Sequence, residues 1–300
     1  MSGNPCIDAA GSAWIIGFDR YEPGEEGRRE AILAVGNGVL VTRAAAAEAQ
    51  RDTVHYPGTY RAGCYNRLAA RIAGDCDETE SLVKLPNWLP LQVRVPAAPH
   101  GQWMHPDHGE LLHYLHRIDM RSGIARREYV LQDAEGRQTR CCEMRFVSMA
   151  DPQWSAMRLE LTPLNWSGDI DILAALDGDV ANTNVKRYAD YPGRHLVPHE
   201  RGVLQDGTVF LAACTSQSRI RIVQAMRASC DAEVRSAESF GNGACIGRQF
   251  RVAVRSGKKI TVDKQVAHHA AQAGSDDSAG NARALSPQDA GFDALRAAHV

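Results

Sequence analysis

Several features that mark common protein classes are missing from this 300-residue sequence. No apolar run approaches the ~18 residues of a membrane-spanning helix, and the first residues lack a basic leader followed by an apolar stretch. The 34 Lys and Arg residues are balanced by 36 Asp and Glu residues, so the formal net charge of −2 does not indicate nucleic-acid binding. The eight cysteines form no C-x-x-C pair and no Cys/His zinc spacing. We therefore predict a cytoplasmic protein with reduced thiols, and neither a membrane nor a nucleic acid as partner.

Motifs for common catalytic and cofactor sites are missing as well. The sequence has no Gly-rich phosphate loop and no G-x-S-x-G nucleophile elbow. His105 and His108 have the spacing of a metal-binding pair, but Pro106 and Gly109 indicate a turn in which the two rings do not converge. We predict no cofactor, no metal and no catalytic residue from these patterns.

The pattern that is present is that of short β-strands separated by turns. Within Trp154–Thr162, apolar and polar residues alternate with the period of a half-buried strand. Glycine-containing turns are predicted at A-E-G before Arg137, at Asp206-Gly207 and at Ser256-Gly257. Many strands at this spacing predict an all-β fold, mainly antiparallel, arranged as one large β-sandwich.

The end of the sequence changes character. Residues 271–285 are rich in Ser, Gly, Asp and Ala, which predicts a flexible linker. Ser286 is suited to cap a helix and Pro287 to its first position, with Phe292, Leu295 and His299 on the inner face. We expect a sandwich over residues 1–270, the linker over 271–285, and the start of a truncated helical segment over 286–300.

Three dense motifs lie between Arg28 and Leu91: R-R-E-A-I-L-A-V-G-N-G, H-Y-P-G-T-Y-R-A-G-C-Y-N-R-L and S-L-V-K-L-P-N-W-L-P-L. Further blocks follow, among them R-F-V-S-M-A-D, L-T-P-L-N-W-S-G and L-D-G-D-V. This set resembles the amino-terminal region of glycoside hydrolase family 65, which includes phosphorylases and hydrolases of maltose, trehalose and kojibiose. The resemblance covers about residues 14–200, with weaker similarity from there to the end of the chain. It implies a galactose mutarotase-like supersandwich placed ahead of an (α/α)6 barrel.

The resemblance also implies what the chain lacks. In this family the general-acid glutamate lies in the barrel, and inorganic phosphate is a co-substrate only in a complete phosphorylase. The residues after Ala267 are too few for the dozen helices of a barrel. We therefore expect a non-catalytic N-terminal domain of an enzyme acting on an α-linked glucose disaccharide, with its barrel encoded elsewhere or lost, and with homodimerisation as a further role.

Two other functions stay open at this stage. One is a free-standing carbohydrate-binding module, and the other is a mutarotase-like enzyme, for which no His/Glu constellation is visible. The Tyr-rich loop supports the first, because aromatic rings stack on sugar faces and amides bind hydroxyls. Its candidate residues are His55, Tyr56, Tyr60, Arg61, Asn66, Asn87 and Trp88. The interpretation we favour is that the tyrosines pack the loop onto the sandwich and that Trp88 and Trp166 fill its core.

Overall fold

A computed structural model describes residues 13–72, 75–96, 103–183, 193–272, 281–283 and 291–300 of the chain. No helix within these ranges is long and apolar enough to cross a membrane. The strands and the two α-helices discussed below are, in chain order, β1 (Ile15–Phe18), α1 (Glu26–Ile32), β2 (Val35–Gly36), β3 (Leu40–Thr42), β4 (Thr59–Ile72), β5 (Asp75–Lys84), β6 (Leu91–Arg94), β7 (Glu110–Asp119), β8 (Ile124–Gln132), β9 (Gln138–Val147), β10 (Trp154–Pro163), β11 (Gly168–Asp177), β12 (Leu196–Val203), β13 (Val209–Thr215), β14 (Ile220–Cys230), β15 (Val234–Asn242), β16 (Cys245–Val254), β17 (Ile260–Gln272) and α2 (Phe292–His299).

The largest sheet has nine strands in the order β1-β7-β8-β9-β10-β17-β14-β13-β12. Strands β7 to β10 follow one another as antiparallel neighbours, which places consecutive parts of the chain side by side. Gly136 has φ +76° in the turn between β8 and β9, and Gly207 has φ +81° between β12 and β13. Glycine adopts these left-handed angles without the steric cost of a Cβ atom. The turns predicted at A-E-G and at Asp206-Gly207 are therefore confirmed as hairpins.

Two four-stranded sheets complete the described fold, β15-β16-β11-β6 and β2-β3-β4-β5. The large sheet and the first of these share one core, in which Met157 and Val262 pack with Ile172 and Phe250. The predicted mainly antiparallel β-sandwich is confirmed. The turn at Ser256-Gly257 leads from β16 in the small sheet to β17 in the large sheet, so it joins the two layers and is not a hairpin.

Helix α2 packs on the face of the large sheet that lies opposite this core. The Phe292 side chain is 1% exposed, and its ring centroid lies 5.5 Å from that of Phe146 on β9. The His299 ring stacks on the same phenylalanine at 4.6 Å, and Leu295 is partly buried in the same cluster. The predicted inner face of the helix is confirmed. A helix of eight residues is marginal in water, so these contacts hold it in place.

The structure describes only part of the predicted boundary between sandwich and helix. Strand β17 continues to Gln272, into the segment predicted as linker. The predicted cap at Ser286 lies outside the described residues, and Gly291 caps the described part of the helix. The division at residues 270 and 285 stays a prediction.

Replacing Phe292 by Ala is expected to release α2 from the sheet and leave the sheets folded. The substitution removes the ring that covers Phe146, and the short helix has little stability of its own. Hydrogen exchange should show lost protection for the amides of residues 295–300 and unchanged protection in β13 and β14. Ala297→Ser, at an exposed position of the same helix, is the matched control. Equal protection of the helix in both variants would contradict the role of Phe292 in holding α2 on the sheet.

Candidate functional site

The loop of residues 51–57, which precedes β4, is held in place by hydrogen bonds to two carboxylates. The Asp52 Oδ1 atom accepts hydrogen bonds from the backbone N–H of Val54 and of His55, at 2.7 and 2.6 Å. The buried Glu30 carboxylate accepts the backbone N–H of Tyr56 at 3.0 Å and lies 2.9 Å from Nδ1 of His55. This contact with Glu30 raises the pKa of His55. These bonds hold the loop against α1, and the side chains of His55 and Tyr56 are buried.

Tyr56 is buried and its ring contacts a lysine. Its hydroxyl donates a hydrogen bond to the Ala181 carbonyl oxygen at 3.2 Å and accepts one from the Thr183 backbone N–H at 3.3 Å. The Lys84 Nζ atom lies 3.9 Å from the centre of the Tyr56 ring, a cation–π contact. Tyr60 is half-buried, and burial together with Tyr56 raises the pKa of its phenol. The face of the Tyr56 ring on which a sugar could stack is therefore covered by Lys84.

Three other predicted residues have structural contacts. Asn66 is buried, and its Oδ1 atom accepts the backbone N–H of Gln217 and of Ser218, both at 2.9 Å, in the turn after β13. Trp88 is 0% exposed and belongs to the core between the sheets. The Arg61 guanidinium donates to a backbone carbonyl of β17 at 3.4 Å. Core placement of Trp88 agrees with the interpretation that the sequence favours.

Asn87 lies differently, because it borders a cavity. Its backbone forms two hydrogen bonds with that of Asp177, at 2.7 and 2.9 Å, which join the segment before β6 to the end of β11. The adjoining cavity has a volume of about 510 Å³. The described polar residues that line it include Arg51, Lys84, Asn87, Gln92, Asp177 and Asp179. Of the seven predicted site residues, Asn87 is in the described lining, beside Arg51 and Pro57 of the loop. The other six are not in it: His55, Tyr56, Tyr60, Arg61, Asn66 and Trp88.

Sequence reasoning missed the charged residues of this cavity. Lys84 and Asp177 end strands β5 and β11, where a charged residue is ordinarily solvated. In the fold, burial lowers the pKa of Lys84 to about 8, and burial raises the pKa of Asp177. Both directions reflect removal of a charged group from water. Their positions at strand ends gave no such signal in the sequence, because distant segments of the chain bury them.

A charge-rich stretch before a first strand is usually a solvated face, but two of the early glutamates, Glu26 and Glu30, are buried. Glu26, Arg29 and Glu30 of α1 are all buried, with Arg29 Nη1 donating to Glu26 Oε1 at 2.9 Å. These positions have i, i+3 and i+4 spacing, so they share one face of the helix. Because that face points into the fold, the charges are paired internally and hold the 51–57 loop through Glu30.

The histidines near residue 105 form a turn. Nδ1 of His105 accepts the backbone N–H of Asp107 at 3.1 Å, and Pro106–His108 is a short 3-10 helix. Within the part of the chain that the structure describes, no group of three or more His, Cys, Asp or Glu side chains could hold a metal ion.

Comparison with known proteins places this fold. Residues 16–300 match the family model described as Glycosyl hydrolase family 65, N-terminal domain. The chain belongs to glycosyl hydrolase family 65. Its matched region is the N-terminal domain, in agreement with the motifs between Arg28 and Leu91.

Curated relatives of this family 65 chain are much longer than the chain itself. An uncharacterized glycosyl hydrolase of Mycobacterium tuberculosis is 40% identical over 258 residues, covering 84% of this chain and 19% of that protein. Kojibiose phosphorylase of Thermoanaerobacter brockii is 28% identical over 70% of this chain and 25% of its own length. Trehalose 6-phosphate phosphorylase of Lactococcus lactis is 24% identical over 84% and 31% respectively. The chain thus spans less than a third of the length of these relatives.

A solved structure has the same fold as this family 65 domain. The structure, named "Putative kojibiose phosphorylase from human microbiome", aligns with a TM-score of 0.76 at 15% identity. The alignment covers 95% of this chain and 37% of that one. The described residues form sheets and short helices, and they contain no helical barrel.

Proposed function

We propose that this chain is the non-catalytic N-terminal domain of an enzyme that cleaves an α-linked glucose disaccharide, by phosphorolysis or hydrolysis, in the cytoplasm. It acts by packing against a helical catalytic barrel that lies outside this chain and by stabilising it. The observation that carries this proposal is the match of residues 16–300 to the family's N-terminal domain. The names of the kojibiose and trehalose 6-phosphate phosphorylase relatives support the substrate class.

The buried charges of the domain support a scaffolding role over a catalytic one. Glu48 and Glu143 are paired with Arg127, and Glu26 with Arg29, so these glutamates are held by arginines inside the fold. A general acid must reach the glycosidic oxygen, which requires an accessible carboxyl group. Homodimerisation through the same domain is part of the proposal.

The test exchanges the domain in a longer relative. The 258-residue region of the M. tuberculosis protein is replaced by residues 16–300 of this chain, and a second variant of that protein lacks the region entirely. We expect the exchanged protein to remain folded, with a cooperative thermal transition, and the deletion variant to aggregate. A deletion variant as stable and soluble as the exchanged protein would contradict a supporting role.

Activity of the chain alone provides the second arm. Incubated with kojibiose, trehalose or maltose and inorganic phosphate, the isolated chain is expected to release neither glucose 1-phosphate nor glucose. Glucose mutarotation, followed by polarimetry, is expected to proceed at the uncatalysed rate. Phosphorolysis, hydrolysis or mutarotation above the blank would overturn the non-catalytic assignment.

A further inference from the structure

The cavity beside Lys84 has the size and construction of a small-molecule site. Its volume of about 510 Å³ falls within the ~300–1,000 Å³ usual for such sites. Polar side chains reach it from separate parts of the chain: Arg51 from the loop, Lys84 from β5, Gln92 from β6 and Asp177 from β11.

Lys84 is the most unusual group in this lining. The residue is 2% exposed, its Nζ atom lies over the Tyr56 ring, and no salt bridge joins it to a carboxylate of the described residues. Buried cations are normally paired, since an unpaired charge loses its hydration without compensation. Because its pKa falls only to about 8, Lys84 remains mostly protonated at neutral pH. Its N–H groups are donors available to a ligand in the cavity.

The lining also contains hydrogen-bond acceptors. The Asp177 Oδ1 atom accepts the backbone N–H of Asp179 at 2.9 Å, which leaves its second oxygen without a hydrogen bond to the described residues. The Gln92 side chain uses its Nε2 atom on the Glu48 carbonyl oxygen at 3.2 Å, and its own amide oxygen is left over. Donors and acceptors therefore face the same space.

The balance of charge selects the class of ligand. The described lining residues include the cations Arg51 and Lys84 and the carboxylates Asp177 and Asp179, of which Asp179 also pairs with Arg194. An anion such as phosphate would be attracted by the first pair and repelled by the second. A sugar hydroxyl both donates and accepts, so a neutral polyol satisfies both sets. Apolar residues that also line the cavity, Pro57, Pro90, Leu173 and Ala175, suit the C–H faces of a sugar ring.

We propose that this cavity binds a neutral saccharide of one or two hexose units, with hydroxyl groups bonded by Lys84, Arg51 and Asp177. All of these residues belong to this chain, so binding requires no catalytic barrel. The site goes beyond the supporting role of the domain, and it holds whether or not the domain-exchange experiment succeeds.

Calorimetric titration of the full chain tests the site. Glucose, maltose, trehalose and kojibiose are titrated in a phosphate-free buffer, and inorganic phosphate is titrated separately. We expect at least one saccharide to bind. Lys84→Met and Asp177→Asn should each weaken that binding about tenfold or more, because each removes a hydrogen bond to a charged group. Lys258→Met, at an exposed lysine in the turn before β17, should leave it unchanged.

Thermal unfolding of each variant separates loss of the ligand contact from loss of the fold. Lys84→Met replaces a buried cation by an apolar side chain of similar length, so the midpoint temperature of unfolding should not fall. Asp177→Asn keeps the shape of the side chain. If the lysine variant does not fold, the saccharide affinity of Asp177→Asn tests the proposal instead. Three results would each overturn the proposal: no binding of any of the four saccharides at millimolar concentration, equal affinity in the wild type and both variants, or Lys84-dependent binding of phosphate alone.

Discussion

Arg127→Met is expected to lower the free energy of unfolding by about 3–5 kcal/mol at neutral pH, the usual cost of removing one partner of a buried ion pair. Arg127 is buried on β8, and its guanidinium donates to Glu48 Oε1 at 2.6 Å and to Glu143 Oε2 at 3.3 Å. Among the residues that the structure describes, its removal leaves Glu48 without an arginine or lysine partner and Glu143 with its contact to Arg145. Urea unfolding followed by circular dichroism measures the loss.

The neighbouring arginine is a matched control. Arg126 lies next to Arg127 on the same strand, where successive side chains point to opposite faces, and it is only partly buried. Arg126→Met should change the unfolding free energy by less than about 0.5 kcal/mol, as is usual at such surface positions. The double variant Arg127→Met with Glu48→Gln should recover part of the loss, since one uncompensated charge is removed. Equal destabilisation by both single arginine variants would contradict the ion-pair explanation.

The effect of Arg127→Met should also depend on pH. Burial alone would raise the pKa of Glu48, but the charge and hydrogen bonds of Arg127, together with a backbone hydrogen bond and His105, lower it below its usual value. A lowered folded-state pKa stabilises the wild type above the unfolded-state pKa, and this contribution is lost as the pH falls through the folded-state value. Without Arg127, burial raises the pKa of Glu48 above its unfolded-state value. Protonation of Glu48 at low pH then removes the uncompensated charge and reduces the destabilisation of the variant. The difference in unfolding free energy between wild type and variant should therefore narrow from pH 7 towards pH 4.

The strand pattern and turns could be predicted from the sequence because they depend on local chemistry. Alternation within β10 and the glycines at positions 136 and 207 each act within a few residues. The inner face of α2 follows from helical spacing in the same way. Local patterns of this kind predicted the fold class correctly.

The contents of the site could not be predicted, because they depend on contacts between distant segments. Asn66 has the amide expected of a sugar ligand, yet it bonds to the turn at Gln217, about 150 residues away. Lys84 follows the core residue Val83, so alternation predicts a solvated side chain. The opposite face is covered instead by the Tyr56 loop and by Asn182, whose side-chain oxygen accepts the Lys84 backbone N–H at 3.1 Å. A loop folded over a sheet changes the environment of a residue without changing its local pattern.

Trp88→Ala is expected to destabilise the domain by about 3–5 kcal/mol, the cost of truncating a buried aromatic side chain to leave a cavity. The indole is 0% exposed and stands edge-on to the His268 ring at 6.0 Å between centroids. Its Nε1 atom has no hydrogen-bond partner among the described residues, so the side chain contributes chiefly apolar volume. Trp88→Phe retains part of that volume and should therefore cost less than Trp88→Ala.

This result distinguishes a core residue from a sugar platform. Trp14 is 49% exposed, so Trp14→Ala should change the unfolding free energy by less than about 0.5 kcal/mol. Circular dichroism is the appropriate probe, because each variant removes one of the five tryptophans and so alters the fluorescence. If Trp88→Phe retains the wild-type saccharide affinity while losing stability, the indole acts by packing the sheets together. Lost affinity with unchanged stability would instead assign Trp88 to a binding surface and contradict its place in the core.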